Sequence, residues 1–142
     1  MKLFFISFLT LFAFSSLNAQ GFKVTLHTPD YTSGLAYLTY YYGKSMNVQD
    51  SAIVNSKGTA IFQGKDNLIP GVYSVVFPGK NKLYDFLVDK GQDIIINADT
   101  SDLINKTEVT GSPENNVFLQ YQKYVNSKGV FLQKELEAYK SS

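Results

Sequence analysis

The sequence predicts a mainly β protein: an antiparallel β-sandwich or partly open barrel of about seven strands, followed by a long C-terminal α-helix. Three observations carry this. Between Phe22 and Ala98, apolar and aromatic residues alternate with polar ones in short runs, the period of strands with one buried face. Turn-forming residues recur about every eight to twelve positions, which suits hairpins. That spacing leaves little room for crossover helices, so a parallel sheet is not expected. After Gly111 the apolar residues fall at helical spacing instead.

The first 19 residues read as an export signal, to be cleaved after Ala19. Lys2 supplies the positive start, Leu3 to Phe14 an apolar run of about a dozen residues, and Ser15 to Ala19 a small polar finish. The run is shorter than the roughly 20 residues of a transmembrane helix, so membrane contact is expected only transiently, through this segment. Residues 20–111 form the expected sandwich and 112–142 the helix. That length suits one domain with a sizeable core.

Along the sandwich, Phe22, Val24 and Leu26 share one face, while Lys23, Thr25 and His27 share a wet one. Leu35 to Tyr42 is a second strand, aromatic on both faces and ended by Gly43-Lys44. Val48 to Val54 and Thr59 to Gln63 are joined by Asn55-Ser56-Lys57-Gly58, whose glycine suits a positive φ. Pro70-Gly71 introduces Val72 to Phe77, with Tyr73, Val75 and Phe77 on one side. Leu83 to Val88 places Tyr84, Phe86 and Val88 together, and Asp89-Lys90-Gly91-Gln92 turns the chain into Ile94, Ile96 and Ala98. Ser101 to Ile104 suggests one helical turn, and Glu108 to Thr110 a last edge strand.

Ser112 is a good N-cap, Pro113 suits the first helical position, and Glu114 complements the positive end of the helix dipole. The stripe that follows runs through Val117, Phe118, Tyr121, Val125, Leu132, Leu136 and Tyr139. Gly129 interrupts it at a cost of about 1 kcal/mol relative to alanine. The pattern fits one long helix, kinked or straight, or two abutting ones, and looks built to lean on something.

Composition narrows the chemistry. The chain has no cysteine, which excludes disulfides, thiolate metal sites, thiol catalysis and a lipoprotein acceptor thiol. Its 13 basic residues are all lysine, set against 12 acids. That near-neutral, arginine-free balance lacks the footprint of nucleic-acid binding. His27 is the single histidine, too few for a multi-histidine metal site. Asp85, Asp89, Asp93, Asp99 and Asp102 recur closely, but without the glycine and terminal glutamate of an EF-hand loop. They read as solvated turn residues, and no two of them form an assignable acid–base pair. No phosphate loop or nucleophile elbow is present. Asn105-Lys106-Thr107 matches a glycosylation sequon. No catalytic, cofactor or metal residue is therefore assigned, and an enzyme is not expected. The one candidate surface for a ligand or partner is Tyr37, Tyr40, Tyr41 and Tyr42. Tyr37 and Tyr41 share a face and Tyr40 and Tyr42 the opposite one, suited either to stacking on sugars or peptides or to cross-strand packing.

The order of motifs carries a resemblance. Asp50-Ser51-Ala52 with Val54 leads to Asn55-Ser56-Lys57-Gly58, Phe62 and Gly64. Pro70-Gly71-Val72-Tyr73 follows, then Leu87-Val88-Asp89-Lys90-Gly91-Gln92 with Ile94 to Asn97, and last Val109-Thr110-Gly111-Ser112-Pro113-Glu114-Asn115. Over nearly all of residues 20–142 this resembles the β-sandwich domain of unknown function that precedes the thioredoxin-like domain in exported TlpA/ResA-type thiol-disulfide oxidoreductases of Gram-negative bacteria. The resemblance implies the periplasm or cell envelope and a non-catalytic accessory role. It also implies a thioredoxin-like partner domain in cis or in trans, or self-association through the C-terminal helix. In that family a Trp-Cys-x-x-Cys domain follows the helix. This chain has no cysteine, so no redox residue carries over. A stand-alone exported module binding a glycan or peptide is the alternative.

Overall fold

The computed structural model describes residues 21–141, and the export-signal reading of residues 1–19 lies outside them. Eight strands run in order: β1 Lys23–His27, β2 Leu35–Tyr42, β3 Ser45–Ile53, β4 Thr59–Gln63, β5 Gly71–Val76, β6 Leu83–Val88, β7 Asp93–Asn97 and β8 Glu108–Thr110. They form two four-stranded sheets, ordered β4-β1-β7-β8 and β3-β2-β5-β6, not closed into a barrel. One helix, α1 Glu114–Ser141, follows and continues through Gly129. The mainly β class and the long C-terminal helix therefore stand as expected. The eighth strand is the short edge segment at Glu108.

The alternation places the core correctly. Val24 and Leu26 of β1, Phe62 of β4, and Ile94 and Ile96 of β7 face Leu38 of β2, Tyr73 and Val75 of β5, and Phe86 of β6, all buried. Two details differ from expectation. β1 pairs parallel with β7, Lys23 opposite Asp93 through His27 opposite Asn97, although the other pairings are antiparallel. The two strands are far apart in sequence, so no hairpin constrains their direction. Thr25 is only 8% exposed, not on a wet face. Strand β1 is central, and Ile61 and Ile95 stand directly beside Thr25 on the outer surface.

Strand β3 begins at Ser45, three residues before the expected Val48, because Tyr42 pairs with Ser45 across the tight Gly43-Lys44 turn. Its register slips between Leu38 and Thr39, and the bulge breaks the alternation of this edge strand. Gly58 has φ of 72°, as its loop requires. The segment from Ser101 forms turns rather than a helix, closed by the Lys106 N–H on the Asp102 carbonyl at 2.9 Å.

Candidate functional site

The β2 tyrosines divide as the alternation requires. On the outer face, the Tyr37 ring lies 4.8 Å from the Lys80 ammonium, and Tyr41 donates its hydroxyl to Asp85 at 3.3 Å. Thr39, between them, donates to the Ser74 carbonyl at 3.2 Å, and the Ser74 hydroxyl donates to the Asp85 carboxylate. These side chains knit β2, β5 and β6 together. Asp85 belongs to this web on β6, rather than to a solvated turn as its spacing suggested. Tyr37 and Tyr41 are thus each tied to a neighbouring side chain on this face, and Tyr41 also reaches the groove beside Tyr42.

Tyr40 and Tyr42 face the other way. The Tyr40 ring sits 6.1 Å from Tyr73, which sits 6.2 Å from Phe86, an aromatic series running into the core. Tyr42 lies past the end of that core and is 79% exposed. Beside it the chain from Asn67 to Gly71 rises as a wall, enclosing a groove of about 390 Å³ between β2 and β5. Tyr40, Tyr41 and Tyr42 line one side, and Ile69 and Pro70 the other. Ile69 is as exposed as Tyr42, at 79%. The wall is anchored from beneath. Tyr73 donates its hydroxyl to the Ile69 carbonyl at 3.0 Å, and burial raises its phenol above the ordinary value of 10.0. Gln92 accepts the Leu68 N–H at 2.8 Å and donates back to the Leu68 carbonyl at 3.3 Å. No charged side chain lines this groove, so it suits an uncharged ring or side chain stacked on tyrosine.

A second, wider cleft of about 840 Å³ opens beside Gly21. Lys23, Lys65 and Lys90 line it together with Asp66 and Asp93, so its charge is mixed. His27 has its Nδ1 3.0 Å from the Thr59 hydroxyl on the neighbouring strand. Hydrogen bonds from Ser101 hold the Asp99 carboxyl below its usual range, and those from Asn105 do the same for Asp102. Thr107 of the sequon is buried. Among the described residues no three His, Cys, Asp or Glu side chains are placed to hold a metal ion.

Helix α1 meets the sandwich only at its start. Asn115, 3% exposed, accepts the Leu87 N–H at 2.8 Å and donates to the Leu87 carbonyl at 2.8 Å. Strand β6 is a sheet edge, so this carboxamide acts as a one-residue substitute for the missing neighbouring strand. One stretch further on, Gln122 donates to the Asp85 carbonyl at 3.2 Å. The Ser112 hydroxyl, expected to cap the helix, instead donates to the Glu114 carboxylate and holds that carboxyl below its usual range. From Lys123 to Ser141 every side chain is exposed, Tyr124, Val125, Phe131 and Leu132 among them.

Periodicity missed the Ile69-Pro70 wall and both amide clamps. Their signals are single residues, an Asn just inside a helix start and a Gln just before a strand, and hydropathy alternation does not register them.

Residues 22–118 match the sequence profile of a family described as Domain of unknown function (DUF4369). The matched span takes in all eight strands and the docked start of α1. No curated protein and no solved structure matches the chain.

Proposed function

The chain belongs to the DUF4369 family, and on that premise we propose that it is a non-catalytic accessory domain working through contact surfaces outside its core. The single observation that carries this is the disposition of α1: clamped to β6 by Asn115, then leaving the sandwich with an uncovered apolar stripe. An ordinary surface helix turns such a stripe inward. Here it is presented outward, as a contact element.

The finer reading is an exported accessory domain of a thioredoxin-like thiol-disulfide oxidoreductase. It rests on the motif order from Asp50 to Asn115 and on the apolar start of the chain. The domain would space or orient the redox domain, in cis or in trans, in the periplasm or envelope. Lacking cysteine, it would supply no thiol of its own. The coding frame beyond residue 142, with the genes on either side, tests this. A Trp-Cys-x-x-Cys domain in frame or adjacent is the expected result. Its absence from that locus would count against the redox context.

The groove at Tyr42 and Ile69 favours a second reading, a module binding a neutral glycan or an uncharged peptide. Tyr42→Ala should then abolish retention on an array of such ligands while leaving the unfolding midpoint unchanged. No retention of the native chain on any of them would remove this reading.

A further inference from the structure

We propose that α1 pairs, antiparallel, with α1 of a second copy of this chain. The side of α1 that meets β6 carries Asn115, Phe118 and Gln122. At about 100° per residue, the exposed stripe lies roughly a third of a turn away from it and carries Val117, Tyr121, Tyr124, Val125, Phe131 and Leu132. All six are exposed or, for Val125, nearly half exposed at 47%. The sandwich cannot reach this stripe, because α1 is already fixed in rotation by the two-way bond from Asn115 to Leu87.

The charges choose the occupant. Lys123, Lys134, Glu137 and Lys140 fall on the opposite side of the helix. Only Lys128 and Glu135 interrupt the stripe, seven residues apart and opposite in sign. Lys128 extends along it, with its ammonium 5.4 Å from the Tyr124 ring centre. A parallel pair would set Lys128 against Lys128 and Glu135 against Glu135. An antiparallel pair, with its two-fold axis between Phe131 and Leu132, sets Lys128 of each chain against Glu135 of the other. It also lays Val125 against Ala138 and places the two sandwiches at opposite ends, clear of one another. Packing supplies most helix stability in proteins, and α1 carries Gly129 and three valines, so pairing also accounts for its persistence beyond Gln122. Aromatic side chains bury about 150–250 Å² each. In this register the partner helix overlaps residues 122–141, so Tyr124 and Phe131 are covered on each chain together with Val125, Leu132 and Ala138. That is on the order of several hundred Å² per partner, less than the roughly 800 Å² of a standard interface and suited to a concentration-dependent pair.

This pairing does not depend on a redox partner. The experiment is sedimentation equilibrium of the full chain and three variants, with circular dichroism to confirm folding. The native chain should sediment as a dimer. Lys128→Glu and Glu135→Lys should each weaken association about tenfold or more, and the double exchange should restore it. Because the native chain has no cysteine, Tyr124→Cys adds a clean second reading. In the antiparallel pair these positions lie roughly 20 Å apart along the axis, and no disulfide should form under oxidation. A native monomer at all concentrations, a double exchange that fails to restore association, or efficient Tyr124→Cys cross-linking would each overturn the proposal.

Discussion

Replacing Asn115 by alanine removes the two short hydrogen bonds, each 2.8 Å, that pair the Leu87 backbone along the open edge of β6, and leaves its carbonyl only the longer 3.5 Å contact from the Ser112 hydroxyl. Each bond contributes a net 0.5–1.5 kcal/mol, so the pair is worth about 2 kcal/mol. The loss rises if the Leu87 N–H and carbonyl stay shielded from water, since a buried unpaired group costs about 1–3 kcal/mol. Gln122→Ala is the internal comparison, because Gln122 makes one bond, at 3.2 Å, to the same strand. It should cost about 1 kcal/mol or less. In urea, with a slope of about 1–3 kcal/mol per molar, Asn115→Ala should lower the midpoint by about 1 M. Hydrogen exchange offers a sharper test. The Leu87 amide should lose protection about thirtyfold at 2 kcal/mol, while amides of the central strand β1 lose far less. Equal effects of the two substitutions, or an unchanged Leu87 amide, would refute the idea that this carboxamide docks the helix.

Two further outcomes follow from the sandwich itself. Burial pushes the Tyr84 phenol up to about 12, helped by the neighbouring Asp85 charge. Unfolded phenols ionise near 10, so above that pH the unfolded chain releases a proton that the folded chain keeps. The stability contributed by neutral Tyr84 is complete below about pH 10 and is lost as pH rises to about 12. Urea midpoints measured across this range should fall for the native chain and flatten for Tyr84→Phe. Gly58→Ala meets a φ of 72° and would place a Cβ 2.4 Å from the Thr28 carbonyl oxygen. It should cost more than the roughly 1 kcal/mol of the left-handed conformation alone, read as a lowered melting midpoint.

Much of the fold was legible because burial is written with period two. Tyr73 and Val75, Tyr84 and Phe86, and Ile94 and Ile96 each recur on one face, and each is buried. Pairing direction was not legible, since the β1–β7 partnership joins strands from opposite ends of the sandwich and leaves no turn between them to read. Nor was Thr25, whose burial comes from isoleucines on two other strands. The tyrosines divide between two faces as the alternation requires, but only the fold shows that Tyr37, engaged with Lys80, lies apart from the groove that Tyr40, Tyr41 and Tyr42 line. The groove needed Ile69, a loop residue with no periodic context. The helix stripe was visible in sequence; that it points away from the sandwich depends on one rotation, set by Asn115.

That rotation leaves the α1 stripe uncovered by the sandwich, and its far half is the place to test the account. Hydrogen exchange of residues 123–141 should be measured on the full chain from dilute to concentrated solution. Protection that appears only as the chain associates, while the sandwich amides stay unchanged, is the predicted result. Protection independent of concentration, or none at any concentration, would contradict it.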